Sequence, residues 1–480
     1  MTQQTRRAFL GTSFATLGGL FLPVSAFGAG RPNLKLGVLS DIHIGARAGG
    51  HAADTETRLE KALRWLDAEG ADAVAMTGDI AHSGLIRELE TFAAIWKKVF
   101  PQDRGHDGRT VTRLFVTGNH DLAAHWVKGD DARLTQILFN HRDNPRKVWK
   151  RLFDEEFEPI WKKCVKGYTF VGSQWPTGKD DPPVEGWFRS HADELRGDRP
   201  FFYLQHAHPK GTCGDGKISS DDGRSTRALT PFPNAIALSG HSHQTLTDDS
   251  AVWQGAFTSI NAGCLRAGSN DRSRSVYDSC HPFYTKGKAL NRMMPLNGFE
   301  GGCGLLIDVF DSHLRIRRQS LAYDQPLDAD WIVPLPARPD GEFDPKNQLA
   351  ACVGPVFPAG AKLEAKVCSL APASIVGPAL AGKPCVHLRI PHARTVKPGS
   401  RVYDYEIKLV SDGKTLVTRI VLANGYNVPE SQADRVSDCL FGLDELPASG
   451  ECRFVVRPRT AFGCAGNPLE AILAKDAKNN

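Results

Sequence analysis

Five apolar runs organise the first two thirds of the chain, and each stops on polar side chains of the same few kinds. LKLGVLSD (34–41), DAVAMTGD (72–79), RLFVTGNHD (113–121), FFYLQHAH (201–208) and AIALSGHSH (235–243) have the length and apolar content of buried strands. Between the first two lies TETRLEKALRWLDAEG (55–70), where Leu59, Leu63 and Leu66 recur at helical spacing and Gly70 marks a stop. A second helical stretch over roughly 85–100 precedes the third run. Strand, helix, strand, helix, strand predicts an α/β domain. RKVWKRLFDEEFEPIWKKC, ahead of the fourth run, is read as partly helical with a solvated charged face; a substrate cap is the other reading of this Trp-rich stretch. CGDGKISSDDGRS (213–225) is a polar loop placed to border a site at the strand ends.

The texture changes near residue 326. PLDADWIVPLPARPDGEFDPK is Pro-rich and is read as a linker over 326–346. Short alternating segments such as VYDYEIKLV and CRFVVRP then predict a small β-sandwich over 347–465, followed by a tail, 466–480. The larger α/β domain, with all five runs, is read over 31–325.

Composition adds a few exclusions. The chain has 480 residues, 41% hydrophobic and 24% charged, enough for one large domain and a smaller one. A formal charge of +5, with no basic cluster interleaved with aromatics, gives no support for nucleic-acid binding. Eleven cysteines include no C-x-x-C pair, so zinc-ribbon and thioredoxin-type motifs are unsupported. Six of them (Cys352, Cys368, Cys385, Cys439, Cys452 and Cys464) fall in the last third, where disulfides are expected, with connectivity left open. The N-terminal 30 residues carry only Arg6 and Arg7 as charges, then a Gly-containing apolar stretch and the small residues Ala26, Gly28 and Ala29. Thr5, Arg6, Arg7, Phe9 and Leu10 resemble a twin-arginine export signal, with Gly11 where Lys is common. That resemblance implies the twin-arginine translocation machinery as a partner, a periplasmic or secreted product, and no membrane anchor after cleavage. The uncharged stretch from Ala8 to Gly30 leaves an uncleaved anchor as the alternative, weakened by Gly11, Gly18, Gly19 and Pro23.

In an open α/β sheet, ligands bind beyond the carboxyl ends of the strands. One rim would therefore gather Asp41, His43, Asp79, Asn119, His120, His206, His208, His241 and His243. Carboxylates and imidazoles suit divalent first-row metals, and a pair of ions about 3.5–4 Å apart suits phosphoryl transfer.

Asp41-Ile42-His43, Gly78-Asp79, Gly118-Asn119-His120-Asp121, His206 and Gly240-His241-Ser242-His243 resemble, in order, the five motifs of the calcineurin-like metallophosphoesterases. The resemblance covers roughly residues 34–320. It implies an αββα sandwich holding two divalent metal ions (Mn, Zn or Fe), and hydrolysis of a small-molecule phosphomonoester or phosphodiester by a hydroxide shared between them. Asp41, His43 and His243 would bind one ion and Asn119, His206 and His241 the other, with Asp79 bridging. His120 would act on the ester oxygens, with Asp121 the first candidate to orient its imidazole. The usual H-x-P of the fourth motif is His206-Ala207-His208-Pro209 here, so His208 is a second candidate ligand. GDIAHSG lacks the Asp and Arg of the family's protein phosphatases, and GNHDLA departs from its nucleotidases, leaving exported phosphodiesterases and acid-phosphatase-like enzymes. His82 stands where purple acid phosphatases have their iron-binding Tyr, which implies a colourless enzyme. A non-catalytic relative that binds partners through the fold and the β-sandwich is the alternative from another class.

Overall fold

Side-chain alternation explains the layers. The computed structural model describes residues 30–46, 54–122, 132–176, 183–213, 221–266, 302–369, 383–396, 401–426, 428–448 and 450–473; the expected export signal therefore lies almost wholly outside the described residues. In one sheet, β1 (Leu34–Leu39), β2 (Ala73–Thr77) and β3 (Thr112–Val116) run parallel, and β10 (Cys303–Val309) and β11 (His313–Ser320) continue it antiparallel beyond β1. In the second, β5 (Tyr168–Ser173), β6 (Phe201–Leu204), β7 (Ala235–Ser239) and β9 (Thr258–Asn261) are parallel, edged by β4 (Ile160–Val165) and β8 (Val252–Gln254). Successive residues of a strand face opposite ways. Leu36, Val38, Ala73, Ala75, Leu114 and Val116 therefore meet Phe170, Phe202, Leu204, Ile236, Leu238 and Ile260 in a core between the sheets. Their neighbours Leu39, Val74, Met76 and Phe115 face the other way, onto Leu59, Leu63, Leu66, Leu89, Phe92 and Trp96 of α1 (Asp54–Ala68) and α2 (Ile86–Val99). Val171, Tyr203 and Ala237 do the same for α4 (Val184–Ser190), α5 (Ala192–Leu195) and α6 (Arg224–Leu229). The result is the αββα sandwich that the resemblance implied, followed by all-β sheets. Each fully buried Leu, Val or Phe contributes roughly 1.5–3 kcal/mol to holding the strand ends in place.

The stretch read as partly helical splits in two. α3 (Asn144–Phe153) ends where Asp154 turns left-handed (φ 53°), and after Pro159 the chain becomes β4. Of the 326–346 stretch read as a linker, part belongs to the first sheet. β12 (Gln325–Pro326) and β13 (Trp331–Pro334) both pair with β11, and Trp331, Val333, Leu335 and Phe343 enter the core between the sheets.

Beyond it, β14 (Glu364–Cys368), β15 (Cys385–Ile390) and β18 (Ser437–Gly442) form one sheet. β16 (Asp404–Ser411), β17 (Lys414–Leu422), β19 (Cys452–Arg459) and β20 (Leu469–Leu473) form the other. Val386, Leu388, Cys439 and Phe441 pack against Tyr405, Ile407, Leu409 and Phe454 between them. The last strand, β20, lies in the stretch read as a tail. A disulfide joins Cys352 to Cys464. Arg401, almost wholly buried, ties the β-sandwich to the larger domain: its guanidinium donates to the Leu327 carbonyl (2.6 Å) and to Asp328 (2.8 Å). No helix among the described residues is long and apolar enough to cross a membrane.

Candidate metal centre

The five predicted strands end on one rim, and the turn after each supplies the polar side chains. Asp41, His43, Asp79, His241 and His243 all have positive φ, between 51° and 65°. A left-handed residue that is not glycine costs of order 1–3 kcal/mol unless the surroundings over-determine it. Asp and His are among the residue types that accept this region best. At these turns it lets Asp41 and His43 send both side chains to one group of donors, and His241 and His243 send theirs to the two neighbouring groups. The motif glycines make room for that convergence. A Cβ on Gly118 would stand 2.2 Å from Asp79 Oδ1, and one on Gly240 would stand 2.4 Å from Asp41 Oδ2.

Each carboxylate is fixed by one oxygen and presents the other. Ser40 Oγ–H (2.7 Å) and His241 N–H (2.9 Å) donate to Asp41 Oδ2. Asp41 Oδ1 then lies 2.9 Å from His243 Nε2 and 3.9 Å from His43 Nε2. His120 N–H donates to Asp79 Oδ1 (2.8 Å), leaving Asp79 Oδ2 at 3.6 Å from His43 Nε2 and 3.2 Å from His206 Nε2. His206 donates its Nδ1–H to the Thr77 carbonyl (2.8 Å), the usual way in which a ligating imidazole is oriented. His241 Nδ1 stands 3.1 Å from His206 Nε2. Asn119 Oδ1 is buried with no hydrogen-bond partner, an orphan acceptor of the kind a cation would satisfy.

Two donor groups result, each with its ligand atoms within 4.8 Å of one another: Asp41, His43, Asp79 and His243, and Asp79, His206 and His241. This His/Asp cluster is able to bind metal ions, and Asp79 belongs to both groups. The site's electrostatics express the same crowding. Burial alone would raise the Asp41 carboxyl, but the His243 and His206 imidazoles beside it hold it at about 2. Burial, with the charge of His206, drives His241 down to about 3, keeping its imidazole neutral as a ligand must be. His206 goes the other way, to about 9: the Asp79 carboxylate outweighs the burial that would lower it.

Two predicted residues stand elsewhere. Asp121 does not orient His120. It is fully buried, and its two oxygens accept the N–H groups of Ala81 (2.6 Å) and Gly118 (2.7 Å), clamping the second and third motif turns together. Burial, helped by the Asp79 charge, pushes its carboxyl up to about 7. What holds His120 is the backbone carbonyl of His82, which accepts its Nδ1–H at 2.7 Å. His208, the alternative to His206, is buried but belongs to neither of these groups.

His82 stands beside His120 at the site. Its ring stacks on that of His120 (centroids 5.4 Å apart), its Nδ1 lies 3.4 Å from His43 Nδ1, and His43, His82 and His120 form a third group of convergent donors. Position alone, three residues after Asp79, was the available signal. Tyr203 and Tyr168 are buried in the layers of the fold, and the Tyr203 hydroxyl is spent on Gln205 (2.9 Å). Beside the centre lies a cavity of about 250 Å³, lined by Trp175, Pro176, Val184, Gln205 and Arg224 among others, with His206 in its wall. Trp175 stands 5.6 Å from the His206 ring and 5.5 Å from that of His241.

Residues 34–245 match the family model described as calcineurin-like phosphoesterase. No curated protein matches the sequence. Solved structures with a similar chain path include a dimetal phosphatase from Danio rerio, 11% identical over 63% of this chain and 99% of that one, with a TM-score of 0.38. A purple acid phosphatase from yellow lupin (Lupinus luteus) seeds is 12% identical, covering 62% of this chain and 53% of its own, with a TM-score of 0.37. The anchor in the inner membrane complex of Plasmodium is 10% identical, covering 64% and 89%, with a TM-score of 0.39.

Proposed function

From a calcineurin-like metallophosphoesterase domain built around this cluster, we propose that the protein is an exported, dinuclear-metal hydrolase of small phosphomonoesters or phosphodiesters. The observation that supports this most directly is Asp79 Oδ2, one carboxylate oxygen facing His43 on one side and His206 on the other. Asp41, His43 and His243 are assigned to one ion, Asn119, His206 and His241 to the other, and Asp79 to both. Two divalent ions held there would supply Lewis acidity and a water activated at neutral pH.

The chain's own residues do the rest. His120, fixed at Nδ1–H by the His82 carbonyl, carries a second N–H at Nε2 only as the imidazolium, and in that form Nε2–H would donate to an ester oxygen, stabilise the charge that builds there and pass its proton to the departing alkoxide. Trp175 and the cavity beside it offer an apolar wall to the organic part of the ester. Mn²⁺, Zn²⁺ and Fe²⁺ all suit imidazole and carboxylate donors.

The test is hydrolysis of p-nitrophenyl phosphate and bis(p-nitrophenyl) phosphate by the purified protein with each metal, beside measured metal content. His120→Ala should keep both ions and lower turnover by roughly 10²–10⁴-fold, the range for a lost general acid. Asp79→Asn should lose metal and activity together. Absence of turnover with every metal would overturn the hydrolase reading in favour of a binding role.

Export rests on Arg6 and Arg7 beside Phe9 and Leu10. Replacing both arginines by lysine should strand full-length protein in the cytoplasm, as cell fractionation would read, and unchanged export would sink this part of the proposal.

A further inference from the structure

The outward face of the three-stranded sheet in the C-terminal domain has two thiols on one rung. Val386, Leu388 and Ile390 of β15 enter the sandwich core, so Cys385, His387 and Arg389 face the other way. On β14, Ala365 and Val367 pack against that same core, which puts Glu364, Lys366 and Cys368 on the outward face as well. The antiparallel register sets Cys368 directly opposite Cys385. Residues opposed in this way have Cα atoms about 4.5–5.5 Å apart. A disulfide spans about 4.4–6.8 Å between Cα atoms. The two thiols differ in access: Cys385 is buried and Cys368 is partly exposed. They also feel each other, since the Cys385 thiol is pushed up by burial and then by the neighbouring Cys368.

We propose that Cys368 and Cys385 form a second disulfide, closing the segment between β14 and β15, with Cys368 as the thiol through which oxidation enters. The Cys368 thiolate attacks one sulfur of a small disulfide such as oxidised glutathione, expelling one glutathione thiolate and leaving a mixed disulfide. The Cys385 sulfur then attacks the Cys368 sulfur and expels the second glutathione, its proton passing to solvent. Two cysteine thiols are oxidised, and one glutathione disulfide is reduced to two thiols. The bond is independent of the metal centre and of the Cys352–Cys464 link.

The chain makes the measurement direct. Trypsin cuts after Lys366 and after Arg389, and Pro384 protects the Lys383 bond, so both cysteines fall in one peptide, 367–389. Full-length protein treated with oxidised glutathione, alkylated under denaturing conditions and digested without reduction should yield this peptide two hydrogens light and free of alkyl groups. Reduction before alkylation should add two alkyl groups. Cys368→Ser should leave an alkylatable Cys385 and an unchanged Cys352–Cys464 cross-link. A doubly alkylated peptide after oxidation, a persistent glutathione adduct on Cys368, or either cysteine linked to a third would overturn the proposal, and each is read on the wild-type chain whatever the variant does.

Discussion

Asp121 shows how far a motif can mislead about a side chain. It follows His120 directly, yet its oxygens take the backbone N–H groups of Gly118 and of Ala81, the latter 40 residues away in sequence. Adjacency tells which residues share a turn; it does not tell which turn has spare donors. The convergence of the cluster was legible because chemistry and position coincide at strand ends: Asp41, His43, Asp79, His206, His241 and His243 meet in two groups of donors that share Asp79. The His82 carbonyl could not be foreseen, since any residue type offers the same acceptor. Asp121→Asn keeps one acceptor and turns an amide NH₂ toward the other N–H. Leaving that buried donor unmet should lower stability by about 1–3 kcal/mol and weaken metal binding. Turnover per bound metal should nevertheless stay near wild type, because His120 keeps its own anchor. Urea unfolding together with activity normalised to metal content checks this, and a normalised loss as deep as that of His120→Ala would restore the carboxylate's presumed catalytic role.

Among the elements, the strands that bear the site were readable from apolar runs alone, while two connecting stretches were not. Lys162, Lys163 and Val165 share a basic, aromatic-rich segment with α3, so helical and strand spacing both fit until the left-handed Asp154 and Pro159 break the helix. In the stretch read as a linker, Pro326 and Pro334 lie in strands at the edge of the first sheet. Among the described strands β13 pairs with β11 alone, where a missing N–H is tolerated on the open side. Trp331 is the residue that makes this strand structural: it is buried, and the guanidinium of Arg318 lies 4.0 Å over its ring. Trp331→Ala should therefore destabilise the larger αββα domain by about 3–5 kcal/mol. Denaturant titration of the two variants Trp331→Ala and Trp331→Phe separates loss of volume from loss of the ring face; no change in either would make the segment the linker that its composition suggested.

At the scale of the whole molecule, the two domains meet through Arg401, whose charge would be costly to bury without Asp328 and the Leu327 carbonyl to receive it. Their joint architecture was legible as an α/β domain followed by short strands; their contact was not, because it is made by groups far apart in sequence, Arg401 and the Glu430 N–H on the Leu327 carbonyl and Arg435 on the Tyr323 hydroxyl among them. The disulfide between Cys352 and Cys464, 112 residues apart, has a mechanical consequence. Tension applied at the two ends of the chain would bypass everything between those sulfurs: β14 to β19 can unfold inside the loop, but their contour cannot be extended, while β20 lies outside it. At about 3.3–3.6 Å per residue, reduction should release several hundred ångströms of hidden length. Optical-trap stretching with and without a reductant would show that added extension, and equal extensions in both conditions would mean the clasp does not bear load.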